Sequence, residues 1–97
     1  PLLKKTLLVV GPVKGPKVSG PAAENLARFT QKFAKRATDI WVNKSGDDFI
    51  FSAEIPGRTP GWFAVYQKLV NGAGETIGMI KSTLNPQGLV QHIKNKF

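Results

Sequence analysis

From Asp47 onward, β-branched and aromatic side chains recur with a period of two in four short runs, and this pattern constrains the chain more than any other feature. The runs are "DDFIFSAEI" (47–55), "WFAVYQKLV" (62–70), "ETIGMIKSTL" (75–84) and "LVQHIKNKF" (89–97). Such runs read as strands. The stretches "NGAGE" (71–75) and "NPQG" (85–88) between them read as hairpin turns, and "NKSGDD" (43–48) is a turn that follows a further short strand at "DIWV" (39–42). Three consecutive hairpin-type links make an antiparallel meander, and an antiparallel sheet in water must cover one face.

The cover comes from the segment before the strands. Pro21 suits the first position of a helix, with Ser19 or Gly20 near the cap, and Ala22, Leu26, Phe29 and Phe33 then recur at helical spacing. Arg28, Lys32, Lys35 and Arg36 fall largely off that stripe, so the helix is amphipathic with a basic outer surface and is expected to end near Ala37 or Thr38. The predicted fold class is α+β: an N-terminal amphipathic helix packed on one face of a four- to five-stranded antiparallel meander sheet. Upstream, "GPVKGPKVSGP" (11–21) is dense in Gly, Pro and Lys and reads as a linker. Residues 1–20 are therefore expected to form a linker or entry segment, and residues 21–97 the folded domain. A chain of 97 residues holds one domain with one modest core.

Fourteen Lys and Arg against six Asp and Glu leave a net charge of +8, which favours polyanionic partners, nucleic acid first. There is no Cys, so disulfides and thiolate metal sites are excluded, and one His with scattered carboxylates argues against a structural zinc site. No cofactor is expected. The apolar run Leu7 to Val10 is only four residues long, far short of a membrane span, and no stable membrane insertion is expected. The chain begins with Pro rather than Met, as a piece of a longer protein would.

Turn chemistry bears on where His92 points. "NPQG" fits a type I turn followed by a left-handed glycine, and "NGAG" fits the same three-residue loop. In a regular ladder this sets Asn85 opposite Leu89 and Ser82 opposite His92, and Asn71 opposite Glu75 with Ala64 opposite Ser82 and Tyr66 opposite Ile80. One face then carries Phe63, Val65, Leu69, Ile77, Met79, Leu89 and Ile93, expected to lie under the helix. The other carries Trp62, Tyr66, Lys68, Ser82, His92 and Lys94, an open surface. A four-residue loop shifts the register by one and turns His92 toward Lys81 and Thr83 instead.

Such a face has the groups needed to cleave RNA through its own 2′-hydroxyl: a base, an acid, and donors or cations around phosphorus. An imidazole such as that of His92 titrates near neutrality and can be base or acid. Lys68, Lys94 and Arg58 are candidates to hold the phosphate and its developing charge. Ser82 or Thr83 can donate to a non-bridging oxygen, and Tyr66 can donate a proton or stack a base. The loop "IPGRTPGW" (55–62) brackets Arg58 with two Pro-Gly pairs, a rigid way to present a guanidinium. Lys81, Lys94, Trp62 and Lys96 are the candidate substrate-binding residues. A basic sheet with exposed aromatics equally suits a non-catalytic RNA- or single-strand-binding module.

The segment from Pro56 to Phe97 resembles the C-terminal toxin domains of contact-dependent growth inhibition (CdiA-type) proteins and related polymorphic toxins. The matching residues are Pro56, Gly57, Arg58, Pro60 and Gly61, then Ala64, Val65, Tyr66 and Lys68, followed by Lys81, Ser82 and Thr83, by Pro86 and Gly88, and by His92 and Lys94. Trp62 stands where a small polar residue is expected, and Ser82 takes the first hydroxyl position. The resemblance implies a ribonuclease of the barnase/EndoU/colicin/RelE (BECR) type that attacks tRNA and is neutralised by a cognate immunity protein, which a cationic cleft requires to be acidic. It also implies an effector of the cell surface delivered into the cytoplasm of target bacteria, and leaves room for an activating factor there.

Overall fold

In a computed structural model, which describes residues 13–97, helix α1 spans Pro21–Phe33. Pro21 fills the first helical position behind Gly20, whose φ of 66° sets the entry angle without a side-chain cap. Glu24 lies in the first turn and Lys32 in the last, the signs that the helix dipole favours. The α-helix stops at Phe33, four or five residues before the expected end. The next residues close a turn instead, with the Arg36 and Ala37 N–H groups both donating to Phe33 O at 3.0 and 2.9 Å. That turn delivers Thr38 to the sheet, where its N–H donates to Glu54 O at 2.8 Å.

Five strands follow in a meander: β1 (Asp39–Ser45), β2 (Asp48–Pro56), β3 (Phe63–Val70), β4 (Thr76–Leu84) and β5 (Val90–Asn95), in spatial order β1-β2-β3-β4-β5 and all antiparallel. The expected α+β fold is therefore present, with one helix against an open five-stranded sheet. At Lys14 and Gly15 the chain lies against the β1 edge. Lys14 pairs in parallel with Trp41, exchanging backbone bonds with Ile40 and Val42, and binds Asp39 through its ammonium at 3.3 Å. Val13 and Val18 pack against the core. The earlier part of the expected entry segment lies outside the described residues.

The core sits between α1 and the first half of the sheet. Ala22, Phe29 and Phe33 of α1 are buried against Ile40 and Val42 of β1 and Phe51, Ala53 and Ile55 of β2, with Val70 of β3. Phe29 lies between Phe33 and Phe51, with ring centroids 4.8 and 5.9 Å away. Each such fully buried ring contributes about 1.5–3 kcal/mol of transfer free energy. The helix stripe is as expected except for Asn25, which is buried where an apolar residue would serve. Its amide donates to Gly74 O at 3.0 Å and Thr76 Oγ1 at 3.1 Å, pinning α1 to the β3–β4 turn. A helix about 10 Å across can shield only two or three strands spaced about 4.8 Å apart, so apart from Val70, Tyr66 and Met79, which reach the core, the β3–β5 half of the same face stays bare.

Both hairpin turns form as expected. Asn71 N–H donates to Glu75 O and Asn85 N–H to Leu89 O, both at 3.0 Å, with Gly74 and Gly88 at φ of 83° and 81°. The expected ladders beyond them do not form. Each hairpin carries a second irregularity: Val70 faces Thr76 but Leu69 faces Gly78, and Leu84 faces Val90 but Thr83 faces His92. Ile77 and Gln91 are thus extra residues, and a one-residue insertion moves every later side chain to the other face. Thr83, not Ser82, stands opposite His92, and Tyr66 faces Lys81 rather than Ile80.

The expected division of the faces is corrected accordingly. Phe63, Val65 and Leu69 alternate with the helix-side residues and lie on the far face, with Ile93, which is 61% exposed. Only Met79 of the residues expected under the helix packs against the core. Leu89 and Ile77, also expected there, are exposed in the turn and the bulge.

Candidate functional site

On the bare half of the helix-side face the register builds three cross-strand rows. Ala64, Thr83 and His92 form the first, and Tyr66, Lys81 and Lys94 the second. Lys68 and Met79 form the third, extended by Lys96, whose N–H donates to Met79 O at 2.8 Å. Rows two residues apart are separated by about 6.8 Å and strands by about 4.8 Å. At ideal spacing the Cα of His92 is then roughly 7 Å from that of Lys94 and 8 Å from that of Lys81, but roughly 17 Å from that of Lys68. The imidazole therefore has a hydroxyl opposite it and two ammoniums within side-chain reach.

Tyr66 links the rows to the helix. Its ring packs on Phe33 at 5.0 Å between centroids, and the Lys81 ammonium stands 5.6 Å from its centroid. Phe33 in turn carries Lys32 and Arg36 over its ring at 5.6 and 5.4 Å. Lys68 is half-buried, and its pKa is pushed below the ordinary lysine value, first by burial and then by the Arg28 and Lys32 charges of α1. The basic residues of α1 thus turn toward the bare half of the sheet.

Among the described residues, none of the six acidic side chains occupies a helix-side strand position. Asp39, Asp48 and Glu54 alternate onto the far face, Asp47 and Glu75 lie in turns, and Glu24 is at the start of α1. Lysines on an edge strand such as β5 have an ordinary use in blocking edge-to-edge pairing. Lys81 directly opposite Lys94 has no such use, because like charges across a ladder are destabilising.

Of the residues expected at the site, the structure brings together His92, Thr83, Tyr66, Lys81, Lys94, Lys68 and Lys96. Ser82 is not among them: it pairs with Val65 and Ile93 on the far face, because the β3–β4 and β4–β5 bulges have each moved the register by one. The expected placement of the site opposite the helix is also corrected, since its residues share the helix's face. Arg58 is exposed in the loop between β2 and β3, which is closed by Gly57 N–H to Trp62 O at 2.7 Å and Trp62 N–H to Thr59 O at 3.1 Å. That loop abuts the β4–β5 turn: a Cβ on Gly61 would come within 3.2 Å of Pro86. Arg58 therefore lies at the end of the sheet nearest the His92 row, with Trp62 half-buried at the loop's base. The flank residues Arg28, Lys32 and Arg36 were legible as basic residues four apart, but the side of the sheet they face was not. In comparisons with known proteins, the chain matches no family model, no curated protein and no solved structure.

Proposed function

We propose that the chain is a metal-independent ribonuclease toxin domain of BECR-like fold, acting on tRNA and neutralised by an acidic immunity protein. The observation that carries this reading is the gathering of one imidazole, one hydroxyl, one phenol and several cations, without a carboxylate, on a bare sheet face beside a basic helix. Of the residues that carry the resemblance to CdiA-type toxins, Tyr66, Lys68, Lys81, Thr83, His92 and Lys94 lie on that face, whereas Val65 and Ser82 lie on the other.

In the proposed reaction His92 accepts the proton of the 2′-hydroxyl as the 2′-oxygen attacks the adjacent phosphorus. The new bond is 2′-O–P and the broken bond is P–O5′. The leaving 5′-oxygen takes a proton from the Tyr66 hydroxyl, so the products are a 2′,3′-cyclic phosphate and a 5′-hydroxyl. Thr83 donates to a non-bridging oxygen, and Lys81 and Lys94 hold the charge that develops around phosphorus. Arg58, at the same end of the sheet, forks two oxygens of the same or the next phosphate.

The test is incubation of the purified domain with total RNA in EDTA, followed by mapping of the new ends. Cyclic phosphate and 5′-hydroxyl ends in tRNA are expected, and a substrate with hydrogen in place of the 2′-hydroxyl at the scissile position is spared. Cleavage of DNA or a strict requirement for magnesium overturns the chemistry. Tight RNA binding without cleavage would instead support the non-catalytic reading.

A further inference from the structure

Arg28, Lys32 and Arg36 recur every four residues and so lie along one flank of α1 and the turn after it. Two of them stand over Phe33, whose ring meets Tyr66, and Arg28 and Lys32 both act on Lys68 across the junction of helix and sheet. The bare half of the sheet therefore has a cationic wall as well as a cationic floor. Arg28 and Lys32 share an i, i+4 spacing and Lys81 faces Lys94, so these like charges repel in the free protein. A ligand that brings several negative charges into the trough relieves that repulsion.

We propose that Arg28, Lys32 and Lys68 form a second phosphate subsite, which grips the RNA backbone away from the phosphodiester that His92 attacks. This rests on the ribonuclease reading for the identity of the strand. Lys68 lies two rows and two strands from His92, too far to share one phosphate with it at rest but on the same trough floor. Tyr66 is covered by Phe33 and by Lys81, and Phe33 is buried, so no open aromatic face is offered to a base at this pole. Contact there is with phosphate and is indifferent to sequence. A membrane headgroup is disfavoured because surface binding pairs cations with exposed apolar side chains on the same face, and Ile80 and Ile93, two of the exposed apolar strand residues, are on the opposite face.

The experiment measures binding of a 2′-O-methyl RNA strand of roughly ten nucleotides, which cannot be cut, to the parent chain and to Arg28→Gln/Lys32→Gln. Binding of the double variant is expected to weaken about tenfold or more near 0.1 M salt, and the slope of log K against log salt to fall by about 1.4 for two lost phosphate contacts on a single strand. Lys68→Gln alone should lower the slope by about 0.7. The charge-matched Lys17→Gln/Lys44→Gln pair, at positions outside the trough, should leave it nearly unchanged. In cleavage, a dinucleotide with one phosphodiester should be cut by Arg28→Gln/Lys32→Gln as by the parent, while long RNA shows a raised KM at the same kcat. If the parent cuts no RNA, the ribonuclease reading falls, and the binding arm still decides the subsite. An undiminished salt slope in both trough variants overturns it. So does a loss confined to phosphatidylserine vesicles with RNA binding intact.

Discussion

His92 is exposed on the edge strand and supports no core contact, so its role can be tested without disturbing the fold. His92→Ala is expected to abolish RNA cleavage with Tm unchanged, as read by gel assay and thermal melt. The register makes a sharper forecast for its neighbours. Thr83→Val, which keeps the branched shape and removes the hydroxyl, should lower kcat on the order of 10²-fold, the cost of one lost oxyanion donor. Ser82→Ala should leave kcat unaltered; the reverse pattern would mean that the ladder is regular after all. Lys68 makes a different forecast because burial, then Arg28, then Lys32 lower its pKa from the ordinary 10.5. Between the lowered value and 10.5 the unfolded chain binds more protons than the folded one. Stability therefore rises with pH across that alkaline window, and the charged lysine's penalty is present in full below it. Lys68→Met should raise stability near neutrality by a few tenths of a kcal/mol, the size of a relieved like-charge pair, and remove that share of the alkaline rise in urea titrations.

At the scale of elements, the position of α1 decides which half of the sheet remains bare. Asn25 contributes through two hydrogen bonds to the β3–β4 turn, and its Oδ1 is buried without a protein partner. Asn25→Ala should cost about 1–3 kcal/mol, because Gly74 O and Thr76 Oγ1 lose their donor in a part-buried setting. Gly74→Ala meets two obstacles at once. Its φ is 83°, and a Cβ would lie 2.6 Å from that of Pro21, so both the turn and the seat of the helix must shift. Denaturant unfolding measures both variants, and a neutral result for Asn25→Ala would show that packing of Phe29 and Phe33 alone holds the helix. An Asn on an apolar stripe gives no sign in the sequence that its partner lies 49 residues away. The stripe of Ala22, Phe29 and Phe33, by contrast, was legible because 3.6-residue periodicity is a local property.

The whole molecule separates its chemistry by face. Cations, imidazole and hydroxyl share the helix side of β3–β5, while Val65, Leu69, Ile80 and Ile93 occupy the other. Activity on RNA is therefore expected to fall steeply as salt is added, since each phosphate contact releases counterions. The proposed immunity protein should be acidic and should cover the rows of Tyr66, Lys68 and His92 together with the basic flank of α1. Amide exchange should then show protection on β3–β5 and α1. A neutralising partner that left His92 accessible would contradict steric blocking.

Several features of the protein were determined by the sequence alone. The alternation of Val, Ile and aromatic residues is enough for strands, Asn-Pro-Gln-Gly and Asn-Gly-Ala-Gly for the turns that Asn85–Leu89 and Asn71–Glu75 close, and the excess of Lys and Arg for a cationic surface. Each depends on interactions within a few residues. The face on which a strand residue stands depends on every residue of slippage between it and the turn, and one extra residue at Ile77 or Gln91 inverts the assignment. Nor could the strands tell which side α1 would take. That choice was made by burial of Ile40, Val42, Phe51 and Ala53 against Phe29 and Phe33, far along the chain from His92. Only the packed tertiary structure therefore put Thr83 rather than Ser82 beside the imidazole, and Arg28 and Lys32 beside Lys68.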